Sequence, residues 1–351
     1  MRVVAVRGRV SRGANWHGGA SGEFEAGRFE IRTGLSRRLG RASLVCLFAA
    51  LAPPLQAQDV QPHSLTPAPI ASNLVSLVYS FSTGAVLTDK TIPVQNIDGD
   101  IHTFAGAYGH AFGLFGLAAK ADVIVPFITG RWSGTLQEVQ LDSTVSRTGF
   151  GDPITRFMFF FVGAPALTGP EFVKQRARTV AGASLRVRVP LGQYDPTKII
   201  NLGTNRWMLS PRVGVSQAFG HVVTELYAAG WFFTDNPEFL GTNVQSQDPL
   251  ATFQLHFIWV FRPGFWAAAS TRQSFGGQVY LNGTASGGTQ TNNRIGVAVT
   301  FPISRRQGLK FAFTFGLSTA AGNDYNTFAS AWLGSWGGFP PEPGAGPKSE
   351  G

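Results

Sequence analysis

The sequence predicts an all-β protein: an antiparallel transmembrane β-barrel of about twelve strands, an even number as in bacterial outer-membrane barrels, behind a cleaved signal peptide. Three observations predict it. Apolar/polar alternation of period two recurs along the chain, connections alternate between short and long, and a basic-then-apolar segment precedes the first strand. The clearest alternation is Leu309-Lys310-Phe311-Ala312-Phe313-Thr314-Phe315-Gly316-Leu317-Ser318. Every odd position is large and apolar, and every even one is small, polar or lysine. Successive strand side chains point to opposite faces, and this apolar face is richer than a soluble sandwich carries.

Of 351 residues, 44% are hydrophobic and 14% charged, well below the ~25% charged of a typical soluble domain. No run approaches the ~18 apolar residues of a spanning helix. The formal net charge of +9 is concentrated at one end: residues 1–57 hold nine basic and three acidic residues, against 20 and 17 in the remainder. A nucleic-acid partner is therefore not indicated by the pI. Arg37, Arg38 and Arg41 precede the apolar stretch Leu44–Ala52, and Pro53-Pro54-Leu55-Gln56-Ala57 reads as a cleavage region ending at Ala57. Cys46, the single cysteine, falls in that leader, so the mature chain has no thiol chemistry. The organisation expected is a leader over 1–57, a periplasmic N-terminal segment over 58–73, the barrel over 74–336 and a Pro/Gly-rich disordered tail over 337–351.

Strands are expected near 74–83, 101–111, 117–131, 148–162, 179–192, 206–218, 221–234, 250–262, 265–278, 293–304, 309–319 and 325–336. Gly113–Gly116, Phe219-Gly220, Pro263-Gly264 and Arg306-Gln307-Gly308 are tight turns. The connections 84–100, 133–147, 193–205, 235–248 and 281–292 are long and polar, as external loops are. The connection 163–178 is long although it falls on the short side, and Pro170-Glu171-Phe172-Val173 suggests a helical turn there.

Which face meets lipid follows from cost. A Lys or Arg facing lipid at the midplane costs ~2–4 kcal/mol, so the charged phase faces the lumen. That turns Arg186, Arg188 and Arg212 inward, with Leu185, Val187, Val189, Leu209, Val213 and Val215 outward. Gln254, His256 and Arg262 go in, while Phe253, Leu255, Phe257, Trp259 and Phe261 go out. Ile295, Val297, Val299, Phe301 and Ile303 also face lipid. Trp132, Trp207, Trp231, Trp259, Trp266, Trp332 and Trp336 lie mostly near strand ends, as in an aromatic girdle.

Several segments carry more than pattern: Ile101-His102-Thr103-Phe104, Gly149-Phe150-Gly151-Asp152-Pro153, Gly163-Ala164-Pro165-Ala166-Leu167, and above all Pro190–Pro196 with Ile200–Trp207. Thr234-Asp235-Asn236 and Gln247-Asp248-Pro249 add to them. Together, from about Thr66 to Trp336, the chain resembles the MetA-pathway of phenol degradation family. The resemblance implies an outer-membrane transporter barrel passing small, including aromatic, compounds, and it brings no catalytic residues. The family pattern ends at its last aromatic, where the assembly machinery reads the final strand; here residues follow Trp336.

The inward charges are the candidate functional residues. Asp152, Arg156, Arg186, Arg188, Arg206, Arg272 and Arg294 fall in the outer half, and Lys120, Asp122, Arg212, Glu225, Arg262 and Lys310 nearer the middle or inner half. Basic groups outnumber acidic ones, which favours anions in a narrow lumen. The function expected is passive uptake of small, aromatic or anionic, organic compounds across the bacterial outer membrane. The expected partners are membrane lipid and lipopolysaccharide, the outer-membrane assembly machinery and a small-molecule substrate, with no nucleic acid. The alternatives are a lipase-like enzyme, for which His102 at the outer rim is the candidate, and a structural or adhesion barrel. No phosphate loop, dinucleotide turn or metal-ligand spacing occurs, so no cofactor or metal is expected.

Overall fold

The alternation becomes a closed wall. In the computed structural model, which describes residues 60–86, 94–136, 141–175, 177–286, 289–318 and 323–339, the strands in chain order are β1 (Ser72–Val86), β2 (Val94–Leu114), β3 (Leu117–Leu136), β4 (Leu141–Phe150), β5 (Ile154–Val162), β6 (Thr179–Arg188), β7 (Met208–Phe219), β8 (Val222–Phe233), β9 (Asn236–Phe239), β10 (Asn243–Gln247), β11 (Leu250–Arg262), β12 (Phe265–Gly276), β13 (Val279–Leu281), β14 (Thr284–Ser286), β15 (Gln290–Pro302), β16 (Gln307–Ser318) and β17 (Asn323–Gly337). Thirteen form one antiparallel sheet, ordered β2-β1-β17-β16-β15-β12-β11-β8-β7-β6-β5-β3-β4, which closes by pairing of β2 with β3. β4 and β5 share one position in the wall: β4 pairs with the outer part of β3, and β5 with its inner part. Counted that way, the barrel has the expected twelve staves. Closure leaves no edge exposed to hydrocarbon, where an unpaired backbone group is costly.

The faces follow the charge argument. Phe253, Phe257, Trp259, Val213, Val297 and Phe313 are exposed on the outside, whereas Arg156, Arg186, Arg212, Arg272, Arg294 and Lys310 are buried inside. The expected strands are present, most of them a few residues longer or shifted, except that the one expected over 148–162 is broken at 151–153 into β4 and β5. The leader over 1–57 lies outside the described residues. Beyond the expected tail boundary, Gly338 accepts a hydrogen bond from the Gly169 amide at 2.7 Å, so the described part of that tail docks under the barrel; residues 340–351 are outside the description.

Other features differ from the sequence reading. Trp132, Trp231 and Trp266 are 3%, 8% and 0% exposed. Trp231 and Trp266 share the inward phase with Glu225 and Ser270 and pack under cations, while Trp132 enters an external apolar cluster with Ile200 and Phe239. Trp207, Trp259 and Trp336 do face outward. Arg262 is exposed beside the β11–β12 turn, because a bulge between Val260 and Arg262 breaks the alternation. Loops 235–248 and 281–292 contain β9, β10, β13 and β14, a second four-stranded sheet over the external mouth. The segment expected in the periplasm reaches into the lumen, as described below. The helical turn expected after β5 is present as α1 (Gly169–Lys174), where Glu171 accepts hydrogen bonds from the Thr168 amide and hydroxyl at 3.1 and 2.8 Å.

The strand pairing is interrupted at Gly151-Asp152-Pro153. Among the described residues β4 pairs with β3 alone, and its other side is met by the connection 189–207. The Gln193 amide donates to the Phe150 carbonyl at 2.9 Å, and Arg147 Nε donates to the Ile200 carbonyl at 3.0 Å. Asp152, expected among the lumen charges, is the anchor of this strap. Its carboxylate accepts from the Gly192 amide, the Thr204 amide and the Thr204 hydroxyl at 2.9, 2.9 and 2.7 Å. A Cβ on Gly192 would stand 2.6 Å from the Asp152 nitrogen, and one on Gly203 would stand 2.7 Å from Gly192, so the close approach requires both glycines. Further along the strap Asp195 accepts from the Thr197 hydroxyl and amide at 2.6 and 3.0 Å and from Lys198 at 2.9 Å. These bonds, Thr197 first, hold its carboxyl below the usual carboxylate range. Its depressed folded-state pKa means that this tie is complete above the ordinary carboxylate pKa and is lost as pH falls through the lowered value.

Asp152→Ala removes three donors' shared acceptor and frees the strap. Trypsin is expected to cut the refolded variant after Lys198 at least several-fold faster than the wild type; equal rates would show that Asp152 does not hold this loop.

Candidate functional site

The site is the lumen, and its floor is built by the chain's own N-terminal segment. Residues 60–66 lie inside the barrel, with Gln61, Ser64 and Leu65 4%, 1% and 3% exposed. Their polar groups match those of the wall. The His63 amide donates to Glu225 Oε2 at 2.8 Å. The Tyr227 hydroxyl donates to the same oxygen at 2.8 Å and accepts from the Ser64 hydroxyl and the Leu65 amide at 2.7 and 3.1 Å. Lys120 Nζ donates to the Thr66 carbonyl at 2.9 Å, and Arg156 donates to Gln61 Oε1 at 3.1 Å. The His63 ring meets the Trp266 ring edge-on at 5.3 Å. Where Val60 and Gln61 face Lys310 and Thr314, the residual cavity is about 20 Å³, room for about one water. The segment is a fitted plug. Sequence reasoning missed it because residues 58–73 show no periodicity and their hydrogen-bond partners on the wall lie 54 to 163 positions away; the polar run Gln61, His63, Ser64, Thr66 was the available signal.

Around this floor the charges form two groups. The first is an ion pair: Arg156 Nε and its terminal nitrogen both donate to Asp122 Oδ2 at 2.9 Å, with both side chains buried. Glu225 is fully buried against the plug. The second is a set of guanidiniums lying on aromatic rings. Arg212 lies 4.6 Å above Tyr227, Arg294 4.0 Å above Tyr325, and Arg206 5.0 Å above Phe233. Arg186 and Arg272 both lie on Trp231, at 5.2 and 5.5 Å. The same pattern holds for Lys120 over Phe160 and Lys310 over Trp266, at 5.1 and 5.6 Å. A desolvated cation gains ~2 kcal/mol or more from such a face, which lets a buried wall carry basic residues in excess of acidic ones. Arg206 also donates to Gln247 at 2.8 Å, at the level of the external sheet.

The predicted residues thus divide. Asp122, Arg156, Arg186, Arg212, Glu225, Arg272 and Arg294 converge in the lumen. Arg188 and Arg206 are half-buried toward the outer rim, Asp152 serves the strap, and Arg262 is exposed at the periplasmic turn. The aromatic partners Tyr227, Trp231, Trp266 and Tyr325 were not among the sequence candidates. Their inward phase, shared with charged neighbours two residues away, was the signal. His102 donates to or accepts from the Tyr79 hydroxyl at 2.9 Å and packs on Phe81 and Phe104's neighbour Tyr79 within an aromatic cluster. Among the described residues no cluster of three His, Cys, Asp or Glu is poised to hold a metal.

Asp122→Ala leaves Arg156 buried without its carboxylate. Breaking one partner of a buried pair costs about 3–5 kcal/mol, so the folded band in heat-modifiability gels should convert to the unfolded one at markedly lower temperature or urea; an unchanged midpoint would show that the pair does not hold the inner wall.

The chain shares its fold with the crystal structure of a COG4313 outer membrane channel from Pseudomonas putida F1, at a TM-score of 0.66 and 18% identity, covering 79% of this chain and 100% of that one. A lower similarity, TM-score 0.39 and 6% identity, relates it to the CymD monoaromatic hydrocarbon channel, covering 84% of this chain and 97% of that one. No curated protein sequence matches the chain. Residues 81–333 match the family described as "Putative MetA-pathway of phenol degradation". This bacterial outer-membrane barrel belongs to that family.

Proposed function

We propose that this barrel is an outer-membrane channel for passive uptake of small organic compounds, aromatic or anionic in character. The observation that carries the reading is the lumen itself: a polar, basic interior running from the external sheet down to a plug held by hydrogen bonds and by the packing of Leu65 with Met158 and Phe160. An interior meant solely to stabilise a wall has no need of cations in excess of carboxylates. Family membership and the solved Pseudomonas putida channel of the same fold support it. Cations fixed on aromatic faces give the path a positive potential, which raises the local concentration of anions and passes them in preference to cations. The plug sets the resting state; release of residues 60–66 widens the path by the volume of that segment.

Deletion of residues 60–66, or Tyr227→Phe, which removes the hydroxyl shared by Ser64, Leu65 and Glu225, should raise single-channel conductance in planar bilayers. The wild type in a KCl gradient should reverse at a potential showing chloride preference, and Arg186→Ala with Arg188→Ala should reduce that preference. Conductance unchanged by the deletion, or cation preference in the wild type, would contradict the reading.

A hydrolase is the second reading, favoured by one contact: His256 Nδ1 lies 2.8 Å from the Ser270 hydroxyl, and its Nε2 lies 3.2 Å from Gln254 Oε1. The site for an acyl group is missing beside it, since His256 is 0% and Ser270 6% exposed. A fluorophosphonate probe should leave the wild-type barrel unlabelled; labelling lost in Ser270→Ala would establish the enzyme instead.

A further inference from the structure

We propose that the outer wall over β11, β12, β15 and β16 holds one anionic phospholipid of the inner leaflet, with an acyl chain in a groove floored by Ala267 and Ala269 and the phosphate against Arg262 and Arg306. The site lies on the outside of the barrel and does not depend on what the lumen passes.

The groove follows from side-chain size in register. At the outward positions 267 and 269 β12 carries only a methyl group. Ala267 is directly opposite Trp259 of β11 and Val299 of β15, and Ala269 is opposite Phe257 and Val297. One strand further, Phe311 and Phe313 of β16 stand opposite Val299 and Val297. Two small residues between walls of large ones leave a cavity of about 750 Å³ lined only by apolar residues, within the ~300–1,000 Å³ of a small-molecule site. Phe257, Trp259 and Phe313 are exposed, so the groove opens toward the membrane.

The groove ends at a basic rim on the periplasmic side. Ala267 lies two residues beyond Phe265, the first residue of β12 after the short β11–β12 turn, or roughly 7 Å of strand. Three rings stack in series at this level, Phe261 with Phe265 at 4.7 Å and Phe265 with Phe301 at 5.2 Å. The bulge between Val260 and Arg262 turns Arg262 out of the lumen phase, and its guanidinium lies 6.0 Å from the centre of the outward Phe265 ring. β15 is the neighbour of β12, and the β15–β16 turn carries the exposed Arg305 and Arg306. On the other flank His221 stacks on Trp259 at 6.2 Å. Residues 219–222, 261–265 and 302–307 contain no Asp or Glu, so these three turns carry charge of one sign.

The occupant follows from the order of these parts, apolar groove, aromatic lip, then arginines. Lipid tails are as apolar as the groove, so burial alone prefers no lipid over another. The rim supplies the preference: basic residues near the surface attract anionic lipid, and a guanidinium matches two phosphate oxygens in one plane. Lipopolysaccharide occupies the opposite leaflet, beside the external ends of these strands. A second copy of the chain packed groove to groove would bring two basic rims together, and like-charge juxtaposition opposes such an interface.

The test is native mass spectrometry of the refolded full barrel in detergent, titrated with palmitoyl-oleoyl phosphatidylglycerol and with the phosphatidylethanolamine of the same chains. The expected result is one saturable phosphatidylglycerol per barrel, bound roughly tenfold more tightly than phosphatidylethanolamine, as for two basic groups at a membrane surface. Arg262→Gln with Arg306→Gln should lower phosphatidylglycerol to the phosphatidylethanolamine level. Ala269→Phe, which fills the groove from the lipid side, should weaken both lipids, and Lys174→Gln on α1, between β5 and β6, should weaken neither. Heat-modifiability gels establish that each variant is folded. Equal binding of the two lipids by the wild type would overturn the proposal without reference to any variant. So would a charge preference that survives in the folded double variant or falls equally in Lys174→Gln, or undiminished binding by Ala269→Phe. A lipid-free dimer that Ala269→Phe abolishes would place a second copy in the groove and overturn it as well.

Discussion

The structure depends on the cost of placing a charge against hydrocarbon. At ~2–4 kcal/mol for each basic residue at the midplane, that cost fixes the phase of the strands that carry an Arg or Lys within the membrane. Arg156, Arg186, Arg212, Arg272, Arg294 and Lys310 are accordingly buried inside, and neighbours one position away, such as Phe157, Leu185 and Val213, take the lipid face. The same rule concentrates the chain's chemistry in a small volume. A lumen that receives all of these cations must neutralise, stack or hydrate them, and this barrel mostly stacks them.

Stacking on aromatics has a consequence that pairing with carboxylates would not. An ion pair such as Asp122–Arg156 consumes the hydrogen-bonding edge of the guanidinium and is electrically closed. A guanidinium held on Trp231 or Tyr325 is attracted by the ring without having its charge cancelled by it. Both devices meet at the plug, where the Asp122–Arg156 pair and the plug's hydrogen bonds are accompanied by Lys120 on Phe160, Arg212 on Tyr227 and Lys310 on Trp266; Arg186, Arg272 and Arg294 are stacked as well. Above them the strap anchored by Asp152 and the sheet of β9, β10, β13 and β14 complete the external end.

Most of the wall was legible in the sequence because two independent periodicities, side-chain alternation and loop length, agree there. The strands around Phe313 and Val297 needed no knowledge of their neighbours. What escaped had no local signature. β13 and β14 are three residues each, too short to show a period. The strands at 221–234 and 265–278 alternate less regularly than the others, which hid the inward turn of Trp231 and Trp266, and Arg262 was misplaced by a single bulged residue. The plug was invisible for a deeper reason: Gln61, His63 and Ser64 are specified by Arg156, Glu225 and Tyr227, contacts that exist only after the barrel has closed. The arginines of the lumen were legible as residues; their opposition across β5–β6 and β12–β15 required the register.

The central claim is that alternate residues of each strand face lipid and lumen, and nitroxide accessibility along β16 tests it most directly. Single cysteines placed from Leu309 to Leu317, spin-labelled in reconstituted bilayers, should show oxygen accessibility that peaks at Phe311, Phe313 and Phe315 and falls at Lys310, Ala312 and Thr314. Accessibility without a period of two, or with its maxima at Lys310 and Thr314, would contradict the account.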